Sequence, residues 1–251
     1  MITTLTIVRY PKWLVWAGMM SMAVLRLPLW LNPNISFWKL MGSGKNGSFD
    51  KTPDLRQWAL ISVFKNDDVT HLQVQLQDID HQKILKQQYG SFIRNWWLFF
   101  NCEIWTIVLN PIEGHGFWDG NEVFGQLEKN TAYEGPIAIL TRATIRLNKM
   151  KSFWANVAPV ANKMNDLEGF IGSYGIGEIP WKKQATFSLW ESKIAMRNFA
   201  YKMKEHATVI QKTKKEDWYS EEMFVRFIPI ASYGTLRGVN PLKRKPYLAN
   251  N

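Results

Sequence analysis

The sequence predicts an α+β protein made of two tandem ferredoxin-like (β-α-β-β-α-β) units, and two observations carry that prediction. First, strand-like and helix-like hydrophobic patterns follow one another in the same order in both halves of the 251-residue chain. Second, the segments that follow the last strand of each half share residues at equal spacing, which indicates duplication. The matching residues are Pro111, Ile112, Gly116 and Gly120 in one half and Pro229, Ile230, Gly234 and Gly238 in the other.

The first half begins with the β-branched strand pattern "TTLTIVRY" and continues through five further elements. In chain order these are a strand at 3–10, a helix at 12–26, strands at 35–42 and 57–64, a helix at 67–89 and a strand at 103–110. The apolar stretch from Trp13 to Leu25 holds only 13 uncharged residues before Arg26 and Pro28, whereas a membrane span needs about 20. We therefore expect a buried core helix there.

The second half repeats this order after a polar, turn-rich linker at 125–135. Its elements are a strand at 137–145, a helix at 149–164, strands at 170–178 and 185–191, a helix at 192–213 and a strand at 223–231. The predicted organisation is an N-terminal repeat (1–124), the linker, a C-terminal repeat (136–242) and a basic tail (243–251).

Each such unit leaves one face of its sheet bare, and two bare faces can cover each other in a pseudo-symmetric α+β barrel. Alternation along "ATFSLW" predicts that Phe187 and Leu189 face the helices, while Thr186 and Ser188 face away. The strings "GFWDG" (116–120) and "GTLRG" (234–238) end the two repeated segments, and we interpret both as glycine-rich turns.

Composition excludes several classes of protein. With 46% hydrophobic and 14% aromatic residues, the bulk of the chain is not disordered. The single cysteine, Cys102, excludes an internal disulfide and a cysteine metal cluster, and indicates a reducing, cytoplasmic compartment. The net charge of +10 comes from scattered residues with no nucleic-acid-binding motif. We therefore expect no nucleic-acid partner, and the charge leaves peripheral contact with anionic membrane lipid open.

His206 is the most informative histidine. On a helix it shares one stripe with Phe199, Met203 and Ile210, opposite a charged side. A lone imidazole on an apolar stripe is either a hydrogen-bonded core histidine or a metal ligand, and spacing alone does not separate the two. His71 and His81 are expected in water on a polar helix, and His115 in a loop.

Several strings resemble the spheroidene monooxygenase family of carotenoid ketolases. They are "SFWKLMGSG" (36–44), "GPIAILTRATIR" (135–146), "GIGEIPWKKQATFSLW" (175–190), "HATVIQKTKKEDWYSEEMFVRF" (206–227) and "GTLRGVNPL" (234–242). The resemblance implies a b-type haem protein that uses dioxygen on an apolar substrate. It also implies kinship with dimeric α+β-barrel haem proteins, such as aldoxime dehydratases, in which an axial histidine comes from a helix of the C-terminal unit.

That resemblance makes His206 the expected haem iron ligand, on the last helix of the C-terminal unit. The stripe Phe199, Met203 and Ile210, set opposite Phe187 and Leu189, is expected to supply the apolar slot that a haem needs. Two cations inside strands, Arg142 and Lys39, are candidates to hold a propionate or to polarise bound oxygen. The alternative for each is a structural ion pair, for Arg142 with an acid such as Glu178.

The leading functional hypothesis is a haem-dependent monooxygenase that acts on an apolar, carotenoid-like molecule, with electrons from an external donor. A second hypothesis keeps the haem but makes the protein a dehydratase or related lyase of a small nitrogenous substrate, which requires a Ser or His proton donor near the iron. A third is a non-catalytic haem carrier. The sequence leaves self-association open.

Overall fold

The computed structural model describes residues 1–45, 52–65, 80–163, 167–202, 211–213 and 215–242. Eight strands run through these ranges: β1 (Ile2–Arg9), β2 (Ile35–Gly44), β3 (Pro53–Phe64), β4 (Glu103–Gly116), β5 (Ile137–Ile145), β6 (Phe170–Ile179), β7 (Lys183–Trp190) and β8 (Tyr219–Gly234). The helices are α1 (Val15–Val24), α2 (Arg26–Trp30), α3 (His81–Phe99), α4 (Met150–Lys163) and α5 (Lys193–Lys202), with short 3-10 turns at Lys12–Leu14 and Leu147–Lys149.

All eight predicted strands are present in the predicted order. Their order in the sheet is β1-β3-β2-β6-β7-β5-β8-β4, which closes an eight-stranded barrel. The pairs for which the register is described are antiparallel. The mixed α+β class and the barrel are therefore confirmed, whereas the assignment of each half to a ferredoxin-like repeat stays a prediction.

The repeated segments adopt the same local structure. In "GFWDG" and "GTLRG" the last two residues both have positive φ: 51° and 77° at Asp119 and Gly120, 57° and 80° at Arg237 and Gly238. Two successive positive φ angles are typical of a type I′ turn. In each copy a glutamate side chain accepts a bond from the last glycine N–H, Glu221 from Gly120 and Glu103 from Gly238. Both strings thus form the glycine-rich turns that the sequence predicts.

Helix α3 differs from its prediction. The predicted helix ends at Tyr89, but α3 continues to Phe99 across a kink at Gly90, where φ is +84°. A glycine in this position resembles a helix C-cap, and it conceals the buried stripe that continues beyond it. That stripe comprises Ile84, Leu85, Tyr89, Ile93 and Trp97. The first part of the prediction, 67–79, lies outside the described residues.

The chain divides into two compact units by contact density. Unit 1 comprises residues 1–42, 54–110 and 229–251; unit 2 comprises 43–53 and 111–228. In unit 1, β1 lies between β3 and β4. Helix α3 is anchored on β1 by the Tyr89 hydroxyl, which lies 2.8 Å from Thr4 Oγ1 and 2.9 Å from Thr6 Oγ1.

The N-terminal helical segment is only half as predicted. Its inner stripe is buried and consists of small or aliphatic residues: Ala17, Ser21, Leu25 and Leu29. Gly18 also lies on this side, because a Cβ there would stand 2.5 Å from Trp58 Nε1. Larger apolar side chains point outward, so the expectation of a wholly buried helix is wrong. By length and composition alone, Lys12–Trp30 is also the one helix of the described residues that could cross a membrane.

In unit 2, β5 lies between β7 and β8, and β6 pairs with the other edge of β7. Two helices cover one face of this sheet. Phe153 and Trp154 of α4 pack on Ile145 at one end of β5. Met196 and Phe199 of α5 pack on Ile137, Ile139 and Trp190 at the other.

The predicted orientation of β7 is wrong. Trp190 packs against α5 and donates from its Nε1 to Ser188 Oγ at 3.0 Å, so these two residues share the helix-facing side. Because side chains alternate along a strand, Phe187 and Leu189 lie on the opposite side, where both are fully buried. The short "ATFSLW" pattern misled because Ser188 is itself buried.

Candidate functional site: an opening between two helices of unit 2

An opening lies on the helix-facing side of the unit 2 sheet, centred on Thr141. This residue is in the middle of the central strand β5, yet it is exposed, whereas the residues before and after it in the strand are buried. On β5, the last residue that packs against α5 is Ile139, and the first that packs against α4 is Ile145. Among the described residues, the two helices thus leave the sheet uncovered between their contacts.

The floor of this opening consists of small side chains. On β7 and β6, Thr186 pairs with Gly175 and Ser188 pairs with Ser173, and Thr186 is also the partner of Thr141. Gly175, Ser173 and Thr186 are partly exposed. Because directly paired residues share a face, all of them lie on the same side as Thr141. The result is a flat, accessible surface on a rigid sheet.

Aromatic rings border the floor. At one side Phe199 of α5 stacks on Trp190, with ring centroids 5.1 Å apart. At the other, Phe224 of β8 is the strand partner of Thr141, and the ring of His115 stacks on Phe224 at 5.7 Å. His115 lies at the end of β4 and is exposed. The sequence predicts a loop at His115, and no local pattern indicates the position of His115 beside Phe224.

Arg142 lies on the opposite face, next to Thr141 in sequence but pointing away from the helices. It is 1% exposed and binds three carboxylates: Asp119 at 2.9 Å, Glu178 at 3.3 Å, and Glu221. Burial raises the pKa of Glu221, but hydrogen bonds from the Gly120 N–H and from Arg142 outweigh it and lower the pKa. The structural alternative for Arg142, an ion pair with Glu178, is therefore present. A catalytic role for Arg142 stays a prediction.

A second buried ionic cluster was not anticipated. Glu113 on β4 is fully buried and accepts from Lys193 Nζ at 2.5 Å and from Arg226 Nη1 at 2.6 Å. The backbone N–H and hydroxyl of Thr131 bind the same carboxylate at 2.7 and 2.6 Å. Burial raises the pKa of Glu113, but the hydrogen bonds from Lys193, Thr131 and Arg226 outweigh it and lower the pKa to about 2. The cluster fastens the 125–135 linker to the first residue of α5.

The remaining predicted residues are distributed as follows. His206, Met203 and Ile210 lie outside the described residues. Phe199 is on α5 and faces the sheet beside the opening. Lys39 is on β2, half-buried, with its Nζ 5.6 Å from the centre of the Phe37 ring. The part of the chain that is described contains no group of three or more His, Cys, Asp or Glu side chains suited to a metal ion.

Two further side chains that could react, His81 and Cys102, lie in unit 1. His81 is not in water: its ring stacks on Tyr233, its Nε2 lies 3.2 Å from Thr106 Oγ1, and burial lowers its pKa to about 4. Cys102 lies just before β4, and burial raises the pKa of its thiol to about 12, which disfavours the nucleophilic thiolate. His71 lies outside the described residues.

Solved structures with a similar fold include two aldoxime dehydratases. One, in complex with butyraldoxime, aligns with a TM-score of 0.57 at 10% identity over 91% of this chain and 79% of that chain. The other aligns with a TM-score of 0.50 at 9% identity over 91% and 80%. At such low identity these likenesses show the fold alone. No family model matches the chain.

Three spheroidene monooxygenases are similar to this chain in sequence. That of Rhodobacter capsulatus is 28% identical over 90% of this chain and 88% of its own length. That of Cereibacter sphaeroides is 29% identical over 84% of this chain, which spans only 60% of that relative. That of Rubrivivax gelatinosus is 30% identical over 82% of this chain and 73% of its own length. The chain belongs to the spheroidene monooxygenase family.

Proposed function

We propose that this protein is a haem-dependent monooxygenase that hydroxylates an apolar, carotenoid-like substrate. Family membership supports the oxygenase class. The observation that carries the site is the opening at Thr141, an exposed mid-strand position in the central strand of a helix-covered sheet. A sheet face normally buries such a position under its helices, so an opening there favours a bound group.

The described residues of the opening fit a flat cofactor. Gly175, Ser173 and Thr186 leave the floor free of large side chains, and Phe199 with Trp190 forms an apolar wall on the α5 side. Helical spacing in the sequence puts His206 seven residues after Phe199 on the same stripe, so we propose that His206 would hold the haem iron. When bound, haem supplies the activation of dioxygen.

The chain's own residues bind and orient. The aromatic wall offers an extended apolar substrate stacking contacts and excludes water from the oxidised carbon. The two strands that form the floor are held by the β5–β7 and β6–β7 ladders, so the geometry of the floor is fixed before the substrate arrives. The roles predicted for Lys39 and Arg142 stay predictions. Arg142 points to the face of β5 opposite the opening and binds three carboxylates there, so a haem at the opening would not contact it.

The reaction needs a co-reactant of defined chemistry. Each hydroxylation transfers one oxygen atom of O2 to a C–H bond and releases the other as water, with two electrons from an external donor and two protons from solvent. Two hydroxylations at one carbon followed by loss of water give a ketone. The protein is therefore expected to use a reductase as a transient partner.

Reconstitution with haem followed by turnover tests the proposal. Purified protein is titrated with haemin, and the Soret band is followed for the wild type and for His206→Ala. The reduced complex is then given O2 and an apolar polyene, and products are analysed by mass for added oxygen. Haem binding that is unaffected in His206→Ala removes the ligand assignment, and the absence of oxygenated product from every polyene tested removes the oxygenase reaction.

One observation favours a second function, a haem-dependent dehydratase. Such a reaction needs a proton donor near the iron, and His115 lies on the helix-facing side, stacked on the strand partner of Thr141. If the protein is a dehydratase, the haem complex converts aldoximes to nitriles without external electrons, and His115→Gln abolishes this conversion. The product analysis described above separates the two reactions.

A further inference from the structure

The outward side of α1, α2 and α3 in unit 1 is unusually apolar. Large hydrophobic side chains on these elements are exposed, with Trp13 at 76%, Trp30 at 73% and Phe99 at 82%. We call this set the outer helix surface, and its members are Trp13, Trp16, Met19, Met20, Leu27, Trp30, Leu31, Phe92, Leu98 and Phe99. On α1 the arrangement is the reverse of the usual one, because the small residues Ala17, Gly18 and Ser21 face the core and large apolar ones face out.

The surface is continuous between the helices. Trp16 of α1 meets Phe100, at the end of α3, edge-on with centroids 5.7 Å apart, and Phe100 also contacts Trp96 at 4.8 Å and Phe99 at 5.0 Å. At the other end, Asn32 Nδ2 donates to the carbonyl oxygen of Gln88 at 2.9 Å. The two helical segments therefore present one apolar face rather than separate spots.

The charged residues of these helical segments are all positive. Residues 11–34 and 81–102 contain none of the chain's 21 acidic residues, but they contain Lys12, Arg26, Lys83, Lys86 and Arg94. Where the segments meet β1 and β4, a cleft of about 310 Å³ is lined by three arginines, Arg9, Arg56 and Arg237, and by one carboxylate, Glu103, which accepts from the Gly238 N–H. Helical segments that are apolar on their outer face and carry only positive charges are complementary to the anionic surface of a lipid bilayer.

We propose that the outer helix surface docks this protein on anionic membranes, with α1 and α2 lying in the interface. Tryptophans are favoured at that depth because the ring is apolar and the indole N–H can reach water or headgroups. The segment lies on the membrane rather than crossing it, because its Ala17, Ser21, Leu25 and Leu29 stripe is already buried against unit 1. Bulk lipid cannot surround a helix that packs on its own sheet.

The inference goes beyond the proposed oxygenase reaction and does not depend on it. A membrane position matches an apolar substrate, but the exposure, continuity and charge of the helices support docking without any reference to the reaction. Binding is therefore measured without haem or substrate, so that failure of docking and failure of the oxygenase reaction remain distinguishable.

Flotation of the full chain with lipid vesicles tests the proposal. The wild type is expected to float with vesicles of phosphatidylcholine and phosphatidylglycerol, to bind phosphatidylcholine alone more weakly, and to dissociate at high salt or in alkaline carbonate. Trp13→Asn/Trp30→Asn is expected to lower the partition coefficient at least about tenfold. Its control, Leu147→Asn/Trp181→Asn, replaces two residues of unit 2 that are 70% and 53% exposed and is expected to leave binding unchanged.

A second pair of variants tests the charge. Lys12→Glu/Lys86→Glu lowers the net charge of the outer helix surface by four and is expected to lower the partition coefficient into anionic vesicles at least about 25-fold. The control, Lys129→Glu/Lys151→Glu, makes the same change in charge on unit 2 and is expected to have little effect on binding. Circular dichroism verifies folding of each variant. Three results would each overturn the proposal. They are wild-type protein that does not float with vesicles, control variants that lose as much binding as the test variants, and bound protein that resists carbonate extraction. A dimer that the Trp13 variant dissociates, without any lipid binding, would assign the surface to a second copy instead.

Discussion

Replacement of Glu113 by glutamine gives the sharpest test of how unit 2 is held together. The substitution keeps the shape of the side chain but removes its charge, which leaves Lys193, 0% exposed, without its anionic partner. Removal of one partner from a buried ion pair costs about 3–5 kcal/mol. The lowering of the Glu113 pKa from 4.5 to about 2 corresponds to about 3 kcal/mol at neutral pH, in agreement. We therefore expect Glu113→Gln to lower the free energy of unfolding by about 3 kcal/mol.

Urea unfolding at neutral pH measures this loss, and Glu134→Gln is the matched control. The Glu134–Arg197 pair spans 3.2 Å, but its side chains are 45% and 38% exposed, so its loss is expected to cost less than about 1 kcal/mol. The folded-state pKa of Glu113 lies below its unfolded value, so its contribution is present above about pH 4.5 and is lost as the pH falls toward 2. The difference between wild type and Glu113→Gln must shrink over that range. Equal losses in Glu113→Gln and Glu134→Gln would refute the reasoning.

Three further predictions concern other parts of the molecule. Thr141→Trp is expected to fill the opening and to weaken haem binding at least about tenfold in a Soret titration. Because the position is exposed, the free energy of unfolding should change by less than about 1 kcal/mol. The control is Ser36→Trp, at an exposed position of β2. His81 has a pKa of about 4 in the folded protein, below its unfolded value of 6.5. The free energy of unfolding is therefore expected to fall by up to about 3 kcal/mol as the pH drops from 6.5 to 4. In His81→Gln, urea unfolding should show a smaller dependence on pH over that range. Arg142→Met is expected to lower the free energy of unfolding in urea by about 3–5 kcal/mol, because three carboxylates lose their shared cation. Haem affinity is expected to stay unchanged. A variant that keeps its stability but no longer binds haem would contradict the structural role.

Much of the fold could be predicted from the sequence because its strands have clear hydrophobic patterns between turn residues. The repeated glycines were informative for a physical reason: a Cβ at Gly116 or Gly234 would stand 2.1 Å from a carbonyl oxygen, that of Glu222 or Ile104. Both positions also have positive φ, so glycine is required in both copies. The end of α3 could not be predicted, because Gly90 looks like a helix stop and only tertiary packing carries the helix past it.

The candidate site was less accessible to sequence reasoning. Burial of Ser188 beneath Trp190 hides the true inward face of β7, so Phe187 and Leu189 were placed on the wrong side. The Glu113 cluster joins residues that are 18, 80 and 113 positions apart in the chain, and no local pattern connects them. The opening at Thr141 likewise depends on where two helices stop covering a strand, which is a tertiary property.

The most direct test of the central claim is the absorption spectrum of purified protein titrated with haemin. The account predicts a saturable Soret band at one haem per chain, weakened in Thr141→Trp and lost or shifted in His206→Ala. A chain that remains folded, as judged by circular dichroism, and gives no Soret band beyond that of free haemin would contradict it.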